Sequence, residues 1–124
     1  MYPYDRQMNP PAPIVPVKIL PPSGVSADPI TLNVLADTGA DSTCLPLNIF
    51  SALNLLPNGT IRVVGATGPA QCNLYSVDIE FHNQLFPSCT IVELPLGFQP
   101  LLGRDIMKTF RLEFNGPSGY LAIL

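Results

Sequence analysis

Asp37-Thr38-Gly39-Ala40-Asp41 places two carboxylates at the end of an apolar run, Val34-Leu35-Ala36, with a hydroxyl and a glycine between them. An acid delivered by the end of a buried strand is held rigidly and is partly desolvated, and the Thr-Gly step that follows offers a fixed hydroxyl, free backbone amides and a sharp bend. Those are the conditions in which a carboxylate serves as a general base on water. An Asp-Thr-Gly triplet is also an ordinary turn, so its surroundings decide its weight. Farther along, Leu101-Leu102-Gly103-Arg104-Asp105 reads as a second strand-to-helix junction, an apolar pair and a glycine leading into a helix predicted over Arg104 to Phe110.

The remaining chemistry-bearing residues are few. His82 is the single histidine and sits beside Asn83 in a predicted turn, so neither a histidine metal site nor a Ser-His pair is well supplied, and a solvated turn residue is the plainer reading. Cys44, Cys72 and Cys89 are odd in number and lack CxxC spacing, which argues against a disulfide framework and against a zinc site. They read as buried or incidental thiols. No metal and no cofactor is expected.

The elements that must position these groups are mostly short strands. Ile14 to Leu20 is β-branched with a Pro16 that suits an edge strand, and Ile30 to Ala36 follows after Pro21, Pro22 and Gly24. Thr43 to Leu45 extends; Leu47, Ile49, Phe50, Leu53 and Leu55 have the spacing of a short helix or helical turn ended by Pro57-Asn58-Gly59. Thr60 to Val64, Asn73 to His82, Leu85 to Glu93, Arg111 to Asn115 and Tyr120 to Leu124 complete the strands. Residues 1–13 show neither period-2 nor period-3.6 patterning and read as a flexible lead-in, leaving residues 14–124 as the domain. The expected fold is all-β, a small closed barrel-like unit with one short C-terminal helix.

Composition bounds the partners. With 124 residues the chain makes one domain, and 47% hydrophobic against 12% charged residues leaves apolar surface available for another chain. A net charge of -3 with six Lys and Arg gives no basic stripe, so nucleic acid is not an expected partner. No apolar stretch approaches the ~20 residues that span a bilayer, and the N-terminus lacks a basic-then-apolar order. The chain is expected to be soluble, in the cytoplasm, with no membrane partner.

Ala-Asp-Thr-Gly-Ala-Asp-Ser-Thr at residues 36–43 and Leu-Leu-Gly-Arg-Asp at 101–105 resemble the two signature segments of the retropepsins, a family of retroviral, retrotransposon and bacterial aspartic proteases. The resemblance spans Ile14 to Leu124 in the order strand, Asp-Thr-Gly-Ala, glycine-rich hairpin, Gly-Arg-Asp, helix, closing strand. The segment Phe110-Arg-Leu-Glu-Phe-Asn-Gly-Pro-Ser-Gly is similar to bacterial and cellular members more than to viral ones.

This resemblance implies an endopeptidase in which Asp37 pairs with Asp37 of a second, identical chain, since the sequence holds a single such triplet. Two carboxylates sharing a site cannot both ionise easily, so one stays protonated to polarise the peptide carbonyl while the other activates water. Thr38 is implied to brace the two loops across the dimer axis, Gly39 to allow their approach and Ala40 to leave room for a substrate backbone. Asp41 and Arg104 are implied as an ion pair, with an exposed, unpartnered arginine as the alternative. Val63-Val64-Gly65-Ala66-Thr67-Gly68-Pro69-Ala70 is similar to the flap, a hairpin closing over substrate, with Gly65, Ala66, Thr67 and Gly68 at its tip; Pro69 departs from the viral pattern and stiffens it. An ordinary hairpin is the alternative. Leu35, Phe98, Gln99 and Leu101 are implied cleft walls, with core packing as the alternative for Phe98 and Leu101. The implied partners are a peptide or protein substrate and a second copy, no cofactor being needed; a catalytically inactive peptide-binding or dimerisation module on the same fold is the competing reading.

Overall fold

In the computed structural model, which describes residues 1–65, 68–95 and 97–124, alternation of apolar and polar residues sets the architecture. Strand β2 (Ile14–Leu20) buries Val15, Val17 and Ile19 and exposes Pro16 and Lys18, the two-residue period of a half-buried strand. Strand β3 (Ile30–Ala36) pairs antiparallel with it, Val15 opposite Val34 and Val17 opposite Leu32. Two further β-branched runs, β6 (Gly68–Phe81) and β7 (Gln84–Leu94), form a long hairpin in which Tyr75, Val77, Ile79 and Phe81 point inward.

Short β4 (Cys44–Pro46) and β8 (Leu101–Leu102) fill the gap between β3 and β7, and β5 (Gly59–Gly65) lies outside β6, giving the order β2-β3-β8-β4-β7-β6-β5. Strand β2 also pairs with β6, Ile19 opposite Ile79, which closes the sheet into a small barrel and leaves the β5–β6 hairpin projecting from it. A second sheet, β1 (Tyr2–Pro3), β10 (Tyr120–Ile123) and β9 (Leu112–Asn115), packs beside the barrel. The core is shared: Phe50 and Leu53 insert from helix α1 (Leu47–Ala52) and its C-terminal turn, and Ile106 and Met107 from helix α2 (Arg104–Met107). Phe50 stacks on Tyr75 with ring centroids 3.8 Å apart, and the Tyr75 hydroxyl donates to Glu93 Oε1 at 2.9 Å, so the ring is buried without stranding its polar tip.

The architecture is mostly β, as expected, and it departs from the sequence expectation in detail. Besides the C-terminal helix, the short helix or helical turn expected from Leu47, Ile49, Phe50, Leu53 and Leu55 is present as α1, with Pro46 at its start and Ile49, Phe50 and Leu53 giving it a face to bury. Helix α2 ends at Met107, and Lys108 to Phe110 continue as turns through Thr109 N–H to Ile106 O at 3.2 Å and Phe110 N–H to Met107 O at 3.0 Å. Residues 1–13, expected as a flexible lead-in, include a paired strand: Tyr2 lies opposite Leu121 and Pro3 opposite Tyr120, and Asp5 bridges Ala12. The anchor is tertiary, since the Tyr2 ring stacks on Phe81 and its hydroxyl meets His82 Nδ1 at 2.8 Å. His82 and Asn83, both at positive φ (51° and 61°), form the two-residue turn joining β6 to β7.

Candidate active site

Strands β3 and β8 run side by side and parallel, Leu35 opposite Leu101 and Ala36 opposite Leu102. The pairing continues past the strand ends through Asp37 N–H to Leu102 O at 3.0 Å, so Asp37 emerges at the carboxyl end of β3 beside the start of α2. Ala36 is buried and Asp37 half-buried, while Thr38, Gly39 and Asp41 are exposed. The chain turns at once: Ala40 N–H donates to Asp37 O at 3.2 Å, and Gly39 N–H donates to Asp37 Oδ1 at 2.8 Å. One carboxylate oxygen is thereby fixed by the loop it begins.

The second junction grips this loop. Arg104 N–H donates to Ala40 O at 2.9 Å, its Nη1 donates to Thr38 O at 2.7 Å, and its Nη2 pairs with Asp41 Oδ1. A guanidinium reaches a carbonyl and a carboxylate together because its donors lie in one fork. The ion pair is worth little by itself, since the Arg104 and Asp41 side chains are 52% and 86% exposed. Its effect is geometric: residues distant in sequence set the shape of the Asp37–Asp41 turn.

Two residues outside the sequence expectation complete the grip. Thr43, fully buried, donates its amide to Asp105 Oδ2 at 3.0 Å and its hydroxyl to Asp105 Oδ1 at 2.8 Å. The same hydroxyl oxygen accepts Gly103 N–H at 3.1 Å. The signal available in the sequence was an acid directly after Arg104 and a threonine two residues after Asp41, and neither type identifies a partner by itself.

The other expected site residues fall into two groups. Leu35 and Leu101 are half-buried and directly opposed on β3 and β8, close to Asp37. Phe98 is 61% exposed, so it is not a core residue, and the Gln99 side-chain amide donates to Pro100 O at 3.5 Å. In the β5–β6 hairpin Val64 opposes Pro69 and Gly65 opposes Gly68, the latter at φ 102°, a backbone region that glycine tolerates and side chains rarely do. Ala66 and Thr67 lie outside the described residues. The register puts Ile61, Val63, Ala70 and Cys72 on one face of the hairpin and Thr60, Arg62, Gln71 and Asn73 on the other. Every residue of β5 is exposed, so Ile61 and Val63 present apolar surface to solvent among the described residues.

Cys44 lies where β4 meets this site. Burial, reinforced by the negative charges of Asp105 and Asp37 and by Cys72, pushes its thiol up from 9.0 to about 11. A folded-state value above the unfolded one means that the associated stability is complete below pH 9 and is lost as the pH climbs through 11. A thiol holding its proton this tightly is a poor nucleophile. At pH 8 iodoacetamide is expected to modify Cys44 about 100-fold more slowly in the native protein than in denaturant, read by mass spectrometry of the Cys44 peptide.

Among the described residues no group of three or more His, Cys, Asp or Glu converges as a metal site, and no helix is long and apolar enough to cross a membrane. No protein-family model matches the sequence. Among solved structures, the chain is similar to the EIAV protease complexed with the inhibitor HBY-793, at 24% identity, covering 79% of this chain and 86% of that chain, with a TM-score of 0.58. The fold is therefore that of a retropepsin-like protein, seen in a retroviral protease.

Proposed function

We propose that this chain is one protomer of a homodimeric aspartic endopeptidase, with Asp37 of each copy forming the catalytic pair. The observation that carries the reading is the placement of Asp37: a half-buried carboxylate at the carboxyl end of β3, held by the Gly39 amide, in a turn gripped by Arg104, within a retropepsin-like fold. A single such triplet in the chain makes a symmetric pair of copies the simplest route to two acids.

In the proposed reaction one Asp37 carboxylate removes a proton from water as the oxygen attacks the peptide carbonyl, while the protonated partner passes its proton to the carbonyl oxygen to give a tetrahedral diol. The diol then collapses: one hydroxyl gives its proton to the deprotonated Asp37, the C–N bond breaks, and the leaving nitrogen takes a proton from the protonated one. Thr38 braces the two loops, Gly39 permits their approach and Ala40 leaves space for the substrate backbone. The β5–β6 hairpin, in which Gly65 opposes Gly68, closes over an extended peptide and excludes water. Leu35, Leu101 and the exposed Phe98 supply apolar walls, with Gln99 at their edge.

Velocity on an unstructured peptide library tests the dimer and the chemistry together. The initial rate is expected to rise with about the second power of protein concentration when dilute and linearly once dimers saturate, and a statine-type inhibitor is expected to abolish it. First-order dependence from a chain that sediments as a monomer sinks the shared site. Tight peptide binding without cleavage identifies the inactive binding module instead.

A further inference from the structure

We propose that Asp105 is a positioning residue for the Asp37 carboxylate, acting through Thr43; the inference rests on the protease reading above and deepens it. Among the described residues Thr43 is the one fully buried polar side chain, and its hydroxyl is used twice, as donor to Asp105 Oδ1 and as acceptor from Gly103 N–H. Asp105 in turn holds three donors: the Thr43 amide on Oδ2, and the Thr43 hydroxyl and the Ile106 amide (3.0 Å) on Oδ1. A carboxylate meets all three because it is acceptor-only.

The consequence for Asp37 follows from where these bonds sit. Residues 103–105 are consecutive, and between them they hold the loop at Thr38, Ala40, Asp41 and Thr43. Arg104 grips the near side of the loop from a half-exposed position, where water competes. Asp105 grips the far side at a buried threonine, where water does not. Without Asp105, the Thr43 amide and hydroxyl lose their acceptors in the interior, and the structure relieves this by moving Ser42 and Thr43. That movement is transmitted to Ala40 and Asp41, and so to the turn that fixes Asp37 Oδ1 through Gly39. Catalysis by a rigidly aimed carboxylate is sensitive to displacements of this kind even when the fold survives.

Asparagine is a graded probe. Its amide has one acceptor oxygen, so its NH2 must face either the Thr43 amide or the Ile106 amide, and one donor is left opposing another. Peptide cleavage is to be measured for Asp105→Ala, Asp105→Asn and Thr43→Val at protein concentrations where velocity is linear, so that dimerisation does not enter. The expected order of kcat is wild type, then Asp105→Asn, then Asp105→Ala, the last down about tenfold or more with KM within about threefold. Thr43→Val is expected to fall with Asp105→Ala. Hydrogen exchange at the Thr43 and Gly103 amides is expected to quicken in Asp105→Ala while the core amides of Val34 and Ile79 stay protected.

A folded Asp105→Ala with wild-type kcat overturns the proposal, as does a rise in KM with kcat unchanged. Should Asp105→Ala fail to fold, Asp105→Asn decides: a wild-type kcat there refutes the role. If wild-type protein cleaves no peptide, the protease reading fails by itself, and unchanged exchange at Thr43 and Gly103 in Asp105→Asn would separately refute the grip on the loop.

Discussion

Asp37→Asn is expected to remove peptide cleavage while leaving the fold in place. Asparagine keeps an oxygen at the Oδ1 position, so the Gly39 amide retains its acceptor, and the half-buried side chain has no other hydrogen-bonding partner to lose among the described residues. The change in stability should stay within about 0.5–1 kcal/mol, visible as a near-unchanged denaturation midpoint. In the proposed reaction what disappears is the proton acceptor for water, and loss of a positioned general base lowers kcat by about 10²–10⁴-fold. Mixing isolates the shared-site part of the claim. If each active unit needs two intact copies, adding an equal amount of Asp37→Asn to wild-type protein at saturating concentration cuts activity to about half by forming mixed dimers, whereas independent chains would keep all of it. Cleavage that survives the substitution would place the chemistry elsewhere.

The parts of the molecule that were legible in the sequence are those whose cause is local. Strand β2 announces itself through Val15, Val17 and Ile19, and β3 through the run ending at Ala36, because burial on one face imposes a period of two on the residues themselves. The Asp37 turn and the Gly103-Arg104-Asp105 junction were legible as motifs, and the structure brings Asp41 and Arg104 together although they are 63 positions apart. The N-terminal strand was not legible, since two residues including a proline carry no period. Tyr2 is held there by Phe81 and His82, and only the folded chain supplies that contact. The reach of β6 to 14 residues was hidden for a related reason: its first half projects from the barrel, where the pattern relaxes and Gly68 and Pro69 read as turn residues. Thr43 and Asp105 were missed because each type is common on surfaces. Their importance lies in a pairing across 62 positions that no single window contains.

That pairing makes Gly103 the position at which the smallest change should do the most damage. Its backbone is extended (φ -94°, ψ -179°), a conformation any residue adopts. Space is what forbids a side chain: a Cβ at residue 103 would stand 2.5 Å from Ser42 C, 2.7 Å from Ser42 O and 2.9 Å from Thr43 N. All three are main-chain atoms, which cannot swing aside as the end of a side chain can. Gly103→Ala must therefore push Ser42 and Thr43 away, and with them the Thr43 hydroxyl that accepts Gly103 N–H and both Thr43 bonds to Asp105. Overpacking of this kind costs about 1–3 kcal/mol, and the lost buried hydrogen bonds add about 1 kcal/mol each. For a chain of this size the expected fall in Tm is about 4 °C per kcal/mol. Gly116→Ala is the matched control, because nothing lies within 4 Å of its added Cβ, and its Tm should move little. Equal melting temperatures for the two variants would mean that the two junctions are not packed against each other as closely as these distances require.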